Sequence, residues 1–310
     1  MKVRSIRLGN LPLKNNIFLA PMAGFTDYSF RSAVKDFGYG LCFTELVSSK
    51  GLFFGGEKTK DLLKTFHGEQ VAAQIFGSDP FYMRKACESE DLSQFKIVDI
   101  NMGCPVPKVF KNGDGSALLS DIKKAEGIVK ECVKSGKIIT VKIRTGLKEG
   151  DDFSTDFCKM AEGAGAKLVT IHGRVRDNYY SGEPDFASIE RAKKAVQIPI
   201  VANGGIFTVK DADEMMEKTG ADGVMLARGA IKNPFLIQEL LGLPKTENLP
   251  HFALRHLAIL KEEKGTFRAA VEFRKFINSY FSDFSGVKSV RARLMKCNTA
   301  EEIEGIIRTL

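Results

Sequence analysis

An α/β fold is what this sequence predicts: a (β/α)8 TIM barrel followed by a small all-helical domain. Three observations lead there. Short apolar, β-branched runs alternate with helical patterns, which marks repeated βα units rather than a sandwich. Eight such runs occur, and their starts lie roughly 20 to 40 residues apart, the length that a strand, a loop, a helix and a return turn require. Beyond Leu243 the strand pattern stops and only amphipathic helical patterns continue.

In chain order the runs are Ile17 to Ala20, Leu41 to Val47, Val71 to Phe76, Ile97 to Asn101, Ile138 to Arg144, Leu168 to His172, Ile200 to Asn203 and Gly223 to Ala227. Several are almost continuously apolar, as a barrel wall covered by helices outside and side chains within should be. Polar residues enter at their C-terminal ends: Glu45, Gln74, Asn101, Lys142, Arg144, His172 and Asn203. That rim of a barrel carries the active site, so these positions are functional candidates. Hydrogen bonding to loop backbone is the plainer alternative for each.

The segment Pro244 to Pro250 reads as a linker between a barrel domain over 1–243 and a helical domain over 251–310. Its two prolines and intervening polar residues break the preceding helix. Four helices are expected: His251 to Lys264, Thr266 to Phe284, Ser289 to Lys296 and Thr299 to Leu310, the last opened by a Thr299 and Glu302 capping box.

Composition narrows the class. With 46 Lys plus Arg against 38 Asp plus Glu in 310 residues, the chain carries a formal net charge of +8, and an apolar share of 44% excludes a wholly disordered chain. The basic excess suits a polyanionic partner, although an ordinary basic enzyme can carry as much. Neither a membrane span nor an export signal is expected, so the cytoplasm is the default compartment. Six cysteines without a Cys-x-x-Cys pair, and no His spaced to complete a zinc set, predict neither a metal site nor a disulfide framework. A monomer is the default assembly.

The loop after the fourth run reads Asp99-Ile-Asn-Met-Gly-Cys-Pro-Val-Pro-Lys-Val109. Cys104, between Gly103 and Pro105, stands on the catalytic rim, whereas the other five cysteines fall in predicted strands or helices. Asn203, Gly204 and Gly205 follow the seventh run; Ala227 and Arg228 follow the eighth. Those two loops form the phosphate site of barrels, where small residues admit backbone N–H groups to phosphate oxygens and Arg supplies a forked donor. No Gly-x-x-x-x-Gly-Lys segment is present, which disfavours a nucleoside triphosphate. Lys142 is an anion-site candidate at a strand end. His172 is as readily a packed histidine as a ligand, and His67, His251 and His256 read as structural or solvated.

Together with Ala20-Pro-Met-Ala-Gly-Phe-Thr-Asp27, the Cys104 loop resembles the tRNA-dihydrouridine synthases. The resemblance continues through Gln74 in AAQIFG, Val141-Lys-Ile-Arg144, His172-Gly-Arg-Val-Arg176, Asn203-Gly-Gly-Ile206, Arg228-Gly-Ala230 and the helical C-terminal part. DINMGCPVPKV is specific to that family; the other motifs are shared among flavin mononucleotide (FMN) barrels. The overall pattern is most similar to the bacterial B-type enzymes. The resemblance implies bound FMN, NADPH as external reductant and tRNA as substrate. Pro21, Met22 and Ala23 match the segment along the isoalloxazine, and Gln74 matches a side chain on its pyrimidine edge. Lys142 matches the lysine near flavin N1 and O2, and His172 a contact to the ribityl or phosphate portion. The implied reaction carries hydride from flavin N5 to C6 of a D-loop uridine while Cys104 protonates C5. That role needs a thiol protonated near neutral pH, which an ordinary thiol pKa of about 8.5 allows. Asn101 would bond the uracil edge, and the target ring must leave its stack.

For the RNA surface, the expected contacts are Lys108, Arg174 and Arg176 beside Tyr179 and Tyr180, the Arg274 and Lys275 pair that the family shares, and Arg291 and Arg293. A solvated helix face is the alternative for these charges. Two positions depart from the family: Gly205 stands where Asp is frequent, and Phe276 where His is usual. Other readings are a flavin barrel acting on a free pyrimidine or dihydroorotate-like molecule, which needs no helical domain, and a non-catalytic RNA-binding flavoprotein, which needs no proton donor.

Overall fold

The computed structural model describes residues 1–282 and 287–310. A hairpin comes first, β1 (Ile6–Leu8) antiparallel to β2 (Leu11–Leu13). Nine parallel strands follow: β3 (Ile17–Leu19), β4 (Cys42–Phe43), β5 (Val47–Ser48), β6 (Val71–Phe76), β7 (Ile97–Met102), β8 (Ile138–Arg144), β9 (Val169–His172), β10 (Ile200–Asn203) and β11 (Gly223–Leu226). They pair in the order β4, β6, β7, β8, β9, β10, β11, β3, with β5 on the upper end of β6. The circle closes where Leu19 N–H donates to Leu41 O and Gly40 N–H to Ile17 O, both at 2.9 Å. The expected barrel is therefore present. Its second wall strand is split into β4 and β5: Thr44 turns its hydroxyl to the Gln74 N–H at 3.0 Å, Glu45 accepts the Gly24 N–H, and Leu46 lines the mouth.

Helices surround this wall: α1 (Tyr28–Ala33), α2 (Ser49–Phe53), α3 (Glu57–Asp61), α4 (Pro80–Glu88), α5 (Pro107–Lys111), α6 (Ile122–Val133), α7 (Ser154–Gly163), α8 (Phe186–Ala195), α9 (Val209–Thr219), α10 (Arg228–Lys232) and α11 (Leu236–Leu240). The strand pleat sorts the side chains into two sets. Ile17 and Leu19 join the cluster under the helices, while Phe18 and Ala20 join an interior cluster with Phe43, Ala72, Val201 and Met225. Ile6, Leu8 and Leu13 of the hairpin belong to that interior cluster and plug the bottom of the barrel. Each buried side chain of this size contributes about 1.5–3 kcal/mol. The sequence pattern does not reveal the hairpin, because three-residue strands are too short to establish a period. Above the apolar floor the interior turns polar.

The C-terminal part comprises α12 (Leu249–Lys264), α13 (Thr266–Tyr280), α14 (Val287–Leu294) and α15 (Ala300–Ile307). Helix α12 starts inside the expected linker, because Asn248 accepts the His251 N–H at 2.9 Å and Pro250 sits in the first turn, where its missing N–H loses nothing. Helix α13 stops at Tyr280, short of the expected Phe284, which lies with its neighbours outside the described residues. Thr299 caps α15 as expected, but Glu302 reaches back to the Asn298 N–H at 2.8 Å rather than to that of Thr299. These helices share the barrel's core: Phe30 of α1 lies 6.3 Å from Phe252 and 6.0 Å from Phe276 between ring centres. His256 is fully buried there between Ser29 and Tyr280, with burial pulling its pKa down to about 3, whereas His67 and His251 are exposed. Among the described residues no helix is long and apolar enough to cross a membrane, and no cluster of His, Cys, Asp and Glu could hold a metal ion.

Candidate active site

A cavity of about 620 Å³ opens at the C-terminal ends of the strands. Pro21, Met22, Ala23, Gln74, Asn101, Cys104, Lys142, His172, Asn203, Gly204, Gly205, Ala227 and Arg228 all line it. Residues far apart in sequence thus meet at one rim, as parallel strands of matched register require. On one side, the turn after β3 is held by the Met22 N–H on Thr26 Oγ1 at 2.8 Å and the Gly24 N–H on Glu45 Oε1 at 2.5 Å.

Beneath the cavity lies a fully buried carboxylate that sequence reasoning did not single out. Asp99 accepts from Gln74 Nε2 at 2.7 Å and from Thr140 Oγ1 at 2.5 Å. Burial pushes its pKa up to about 6, against the opposing pull of those donors and of Lys142. Gln74 in turn accepts from Asn101 Nδ2 at 3.0 Å, so its amide orientation is set from below. Lys142 reaches Asn203 Oδ1 at 3.3 Å; burial, helped by Arg144, pulls it down to about 8, which leaves it mostly protonated at neutral pH.

The Cys104 loop is pinned from both sides. Asn101 Oδ1 accepts the N–H groups of Gly103 at 3.2 Å and Cys104 at 2.9 Å, while Ser116 Oγ donates to Cys104 O at 2.7 Å. Gly115 adopts φ +59°, and a Cβ there would sit 3.0 Å from that of Cys104. Burial raises the Cys104 thiol pKa, and the Val106 N–H, Arg144 and Lys142 offset part of that rise. At neutral pH the side chain is a thiol, the form that donates a proton. Asn101 thus spends its carbonyl on this loop and an amide N–H on Gln74, which makes it a brace for the loop rather than the free partner of a uracil edge.

On the opposite side Gly204 and Gly205 adopt φ +118° and +72°. A Cβ on Gly204 would lie 2.8 Å from His172 Cδ2 and 3.1 Å from Arg174 Nη1. Among the described residues neither glycine N–H has a hydrogen-bond partner, and Arg228 lies across the Tyr180 and Phe207 rings at 4.5 and 5.5 Å. Unpaired donors, a forked cation and no side chain between them form a cradle of the kind that can hold a phosphate. Burial and four surrounding cations hold the His172 pKa well below its ordinary value, so its imidazole is neutral.

The RNA candidates fare differently. Arg174 is buried: it donates to Ser181 O and Gly182 O at 3.1 and 2.7 Å and lies 3.3 Å from His172 Nε2, beneath the glycine turn rather than on the surface. Arg274 ties α13 to Cys297 O at 2.7 Å, and Arg291 donates to Asn278 O at 3.0 Å. Lys275 sits 3.8 Å from Asp27 at the seam between α13 and α1. Arg176 covers the Phe110 ring at 3.9 Å, while Lys108 and Arg293 are exposed. Phe276, where the family usually has His, is buried against Phe25 and Phe30. Among the cavity residues that went unnoticed in the sequence are Lys232 and, at and just beyond the end of α13, Asn278, Ser279 and Ser282. Nothing local marks the last three, because only the packing of α13 on α1 brings them to the mouth. Arg144 was visible as a polar strand end; it donates to Gly103 O at 3.0 Å and Tyr179 O at 2.8 Å, tying two rim loops together.

A closed parallel barrel with a thiol, a buried lysine and an anion cradle at its C-terminal mouth defines a barrel enzyme. Residues 18–308 match the model of the dihydrouridine synthase (Dus) family, and the chain belongs to that family. It is 34% identical over 302 residues to the tRNA-dihydrouridine synthase B of Pseudomonas putida, covering 93% of this chain and 89% of that one. The corresponding protein of Pasteurella multocida is 38% identical over 248 residues, 79% and 74% of the two chains. A probable tRNA-dihydrouridine synthase 1 of Synechocystis is 34% identical, with 96% and 87% covered. Among solved structures, morphinone reductase superposes with a TM-score of 0.58 at 13% identity over 80% of this chain and 91% of that one, a likeness of fold alone.

Proposed function

We propose that the protein is a tRNA-dihydrouridine synthase that holds FMN over the barrel mouth and takes its electrons from NADPH. The observation that carries this reading is a protonated Cys104 facing the same cavity as the glycine cradle. The residues fit the cofactor: Gly204, Gly205 and Arg228 would hold its phosphate, Gln74 and Lys142 the polar edge of its ring, and Pro21, Met22 and Ala23 would lie along its face. FMN supplies the hydride that reaches C6 of the uracil. The chain does the rest. Lys142 offers fixed positive charge where reduced flavin carries negative charge. Asn101 holds the Cys104 loop in place, and the Cys104 thiol gives its proton to C5. His172, being neutral, serves as a hydrogen-bonding partner rather than a cation. Asn278, Ser279 and Ser282 supply polar groups above the cavity, where the flipped nucleotide enters.

The direct test is to incubate purified protein with NADPH and unmodified tRNA and map dihydrouridine; tRNA without the modified base would sink the proposal. The protein should be yellow and release FMN, not FAD, on denaturation, since there is one phosphate cradle and no dinucleotide fingerprint. Arg228→Ala should weaken flavin retention by about 1.5–3 kcal/mol, the worth of a charge-assisted hydrogen bond; unchanged affinity removes Arg228 from the cradle. The pH dependence follows from the thiol. Its acid form is the active one and burial raises its pKa, so uridine reduction should stay level through neutrality, lose part of its rate as Lys142 deprotonates near 8, and lose the thiol's share only above the ordinary thiol range. A decline already under way at neutral pH would contradict that assignment.

A further inference from the structure

Four aromatic rings crowd together on the outer rim of the barrel. Phe53 and Phe54 end α2, and Phe81 and Tyr82 open α4. Phe53 lies 5.1 Å from Phe54, 5.9 Å from Phe81 and 5.0 Å from Tyr82 between ring centres. Phe54 is 71% exposed, Phe81 54% and Phe53 46%. Single exposed aromatics are ordinary; a contiguous group marks a binding surface.

These rings have not simply missed the core. Helices α2 and α4 already fill it from their other faces, with Leu52, Met83, Ala86 and Cys87. The platform is also rigidly placed. Ser48 caps α2 by accepting the Gly51 N–H at 3.2 Å, and Asp79 caps α4 by accepting the Phe81 N–H at 2.9 Å. Both helices follow the mouth ends of β5 and β6, so the patch is at the same end of the barrel as Cys104. Gly113, in the turn beyond the Cys104 loop, comes close to Ser78 just before α4.

Two lysines stand against the rings, while the nearby Asp79 carboxylate is committed to the Phe81 N–H. Lys50 Nζ stands 5.4 Å from the centre of Tyr82 and Lys85 Nζ 6.0 Å from that of Phe81. Among the described residues Lys50 makes no ion pair, and neither do the exposed Lys108 and Lys111 of α5, which leads into the Gly113 turn near Ser78, whereas Lys85 is paired with Glu88. Two copies meeting face to face here would bring these lysines together. A nucleic acid suits both parts of the surface, its phosphates meeting the lysines and its bases the ring faces.

We infer that this patch is a stacking platform for unpaired bases of the RNA substrate, outside the cavity in which the target uridine reacts. The inference rests on the proposed function for the identity of the substrate. The test measures binding of tRNA to the full chain by fluorescence anisotropy over a salt series. The variants are Phe54→Ala with Phe81→Ala, Phe54→Leu with Phe81→Leu, and Lys50→Ala. Melting temperatures serve as a folding control, and the side chains are exposed enough that they should not change. Both phenylalanine pairs should lose roughly tenfold or more in affinity with the salt slope unchanged, because rings and not phosphate contacts are lost. Lys50→Ala should lower the slope by up to about 0.9. Wild-type affinity in the alanine pair overturns the inference, as does wild-type affinity in the leucine pair, since apolar bulk would then suffice. Unchanged tRNA affinity with a shift in sedimentation from dimer to monomer assigns the patch to a second copy and also overturns it. Wild-type protein that binds tRNA yet leaves no dihydrouridine sinks the proposed function while the platform is judged on binding alone.

Discussion

Cys104→Ala is expected to keep bound flavin, to oxidise NADPH at the wild-type rate, and to lose about 10²–10⁴-fold in dihydrouridine formation, the usual worth of a positioned general acid. The separation of the two halves follows from geometry. The loop is held through backbone atoms, by Asn101 on the Gly103 and Cys104 N–H groups and by Ser116 on Cys104 O, so removing the thiol leaves its frame intact. The phosphate cradle lies across the cavity and touches none of these atoms. Single-turnover mixing of NADPH-reduced variant with tRNA reads the second half directly. If that half ran at the wild-type rate, the proton would come from another group and the assignment of Cys104 would be wrong.

Gly204→Ala is expected to have the largest effect on the cofactor. The residue adopts φ +118°, which L side chains rarely adopt, and the added methyl would press on His172 Cδ2 at 2.8 Å and Arg174 Nη1 at 3.1 Å. His172 cannot retreat freely, because Arg174 beside it is anchored on Ser181 O and Gly182 O. Backbone strain of this kind costs about 1–3 kcal/mol, so the turn should relax and its two N–H donors should leave the phosphate. Flavin affinity should drop roughly 5–150-fold or more and the purified variant should be pale. Titration of apoprotein with FMN measures it. Wild-type affinity would mean that the phosphate is held elsewhere.

Much of the site was legible because its chemistry is contiguous in the chain. The Cys104 loop, the glycine pair after β10 and the Arg228 turn after β11 are short segments whose residue types announce their use, and the barrel rhythm brings strand ends to one rim. Asp99 escaped notice although it stands in the Cys104 motif, since nothing in a strand pattern says that an acidic side chain points inward and is held by Gln74 and Thr140. The hairpin plug escaped because its strands are three residues long.

The arginines show the limit most clearly. In the sequence Arg174, Arg274 and Arg291 look like surface cations near aromatic or basic neighbours. In the fold each guanidinium finds carbonyls supplied by chain that returns from elsewhere: Arg274 meets Cys297 across 23 residues, and Arg291 meets Asn278 across 13. The sequence by itself determined the eight-stranded barrel, the rim at which the candidate residues gather, and the thiol and glycine loops, because period and turn chemistry are local properties. Only the tertiary structure decided which charges stay free for a partner, that α13 and the chain just beyond it lend Asn278, Ser279 and Ser282 to the mouth, and that four aromatic rings meet on the rim. Those outcomes depend on which distant segments pack together, and a charge or a ring takes its role from the neighbours that packing assigns to it.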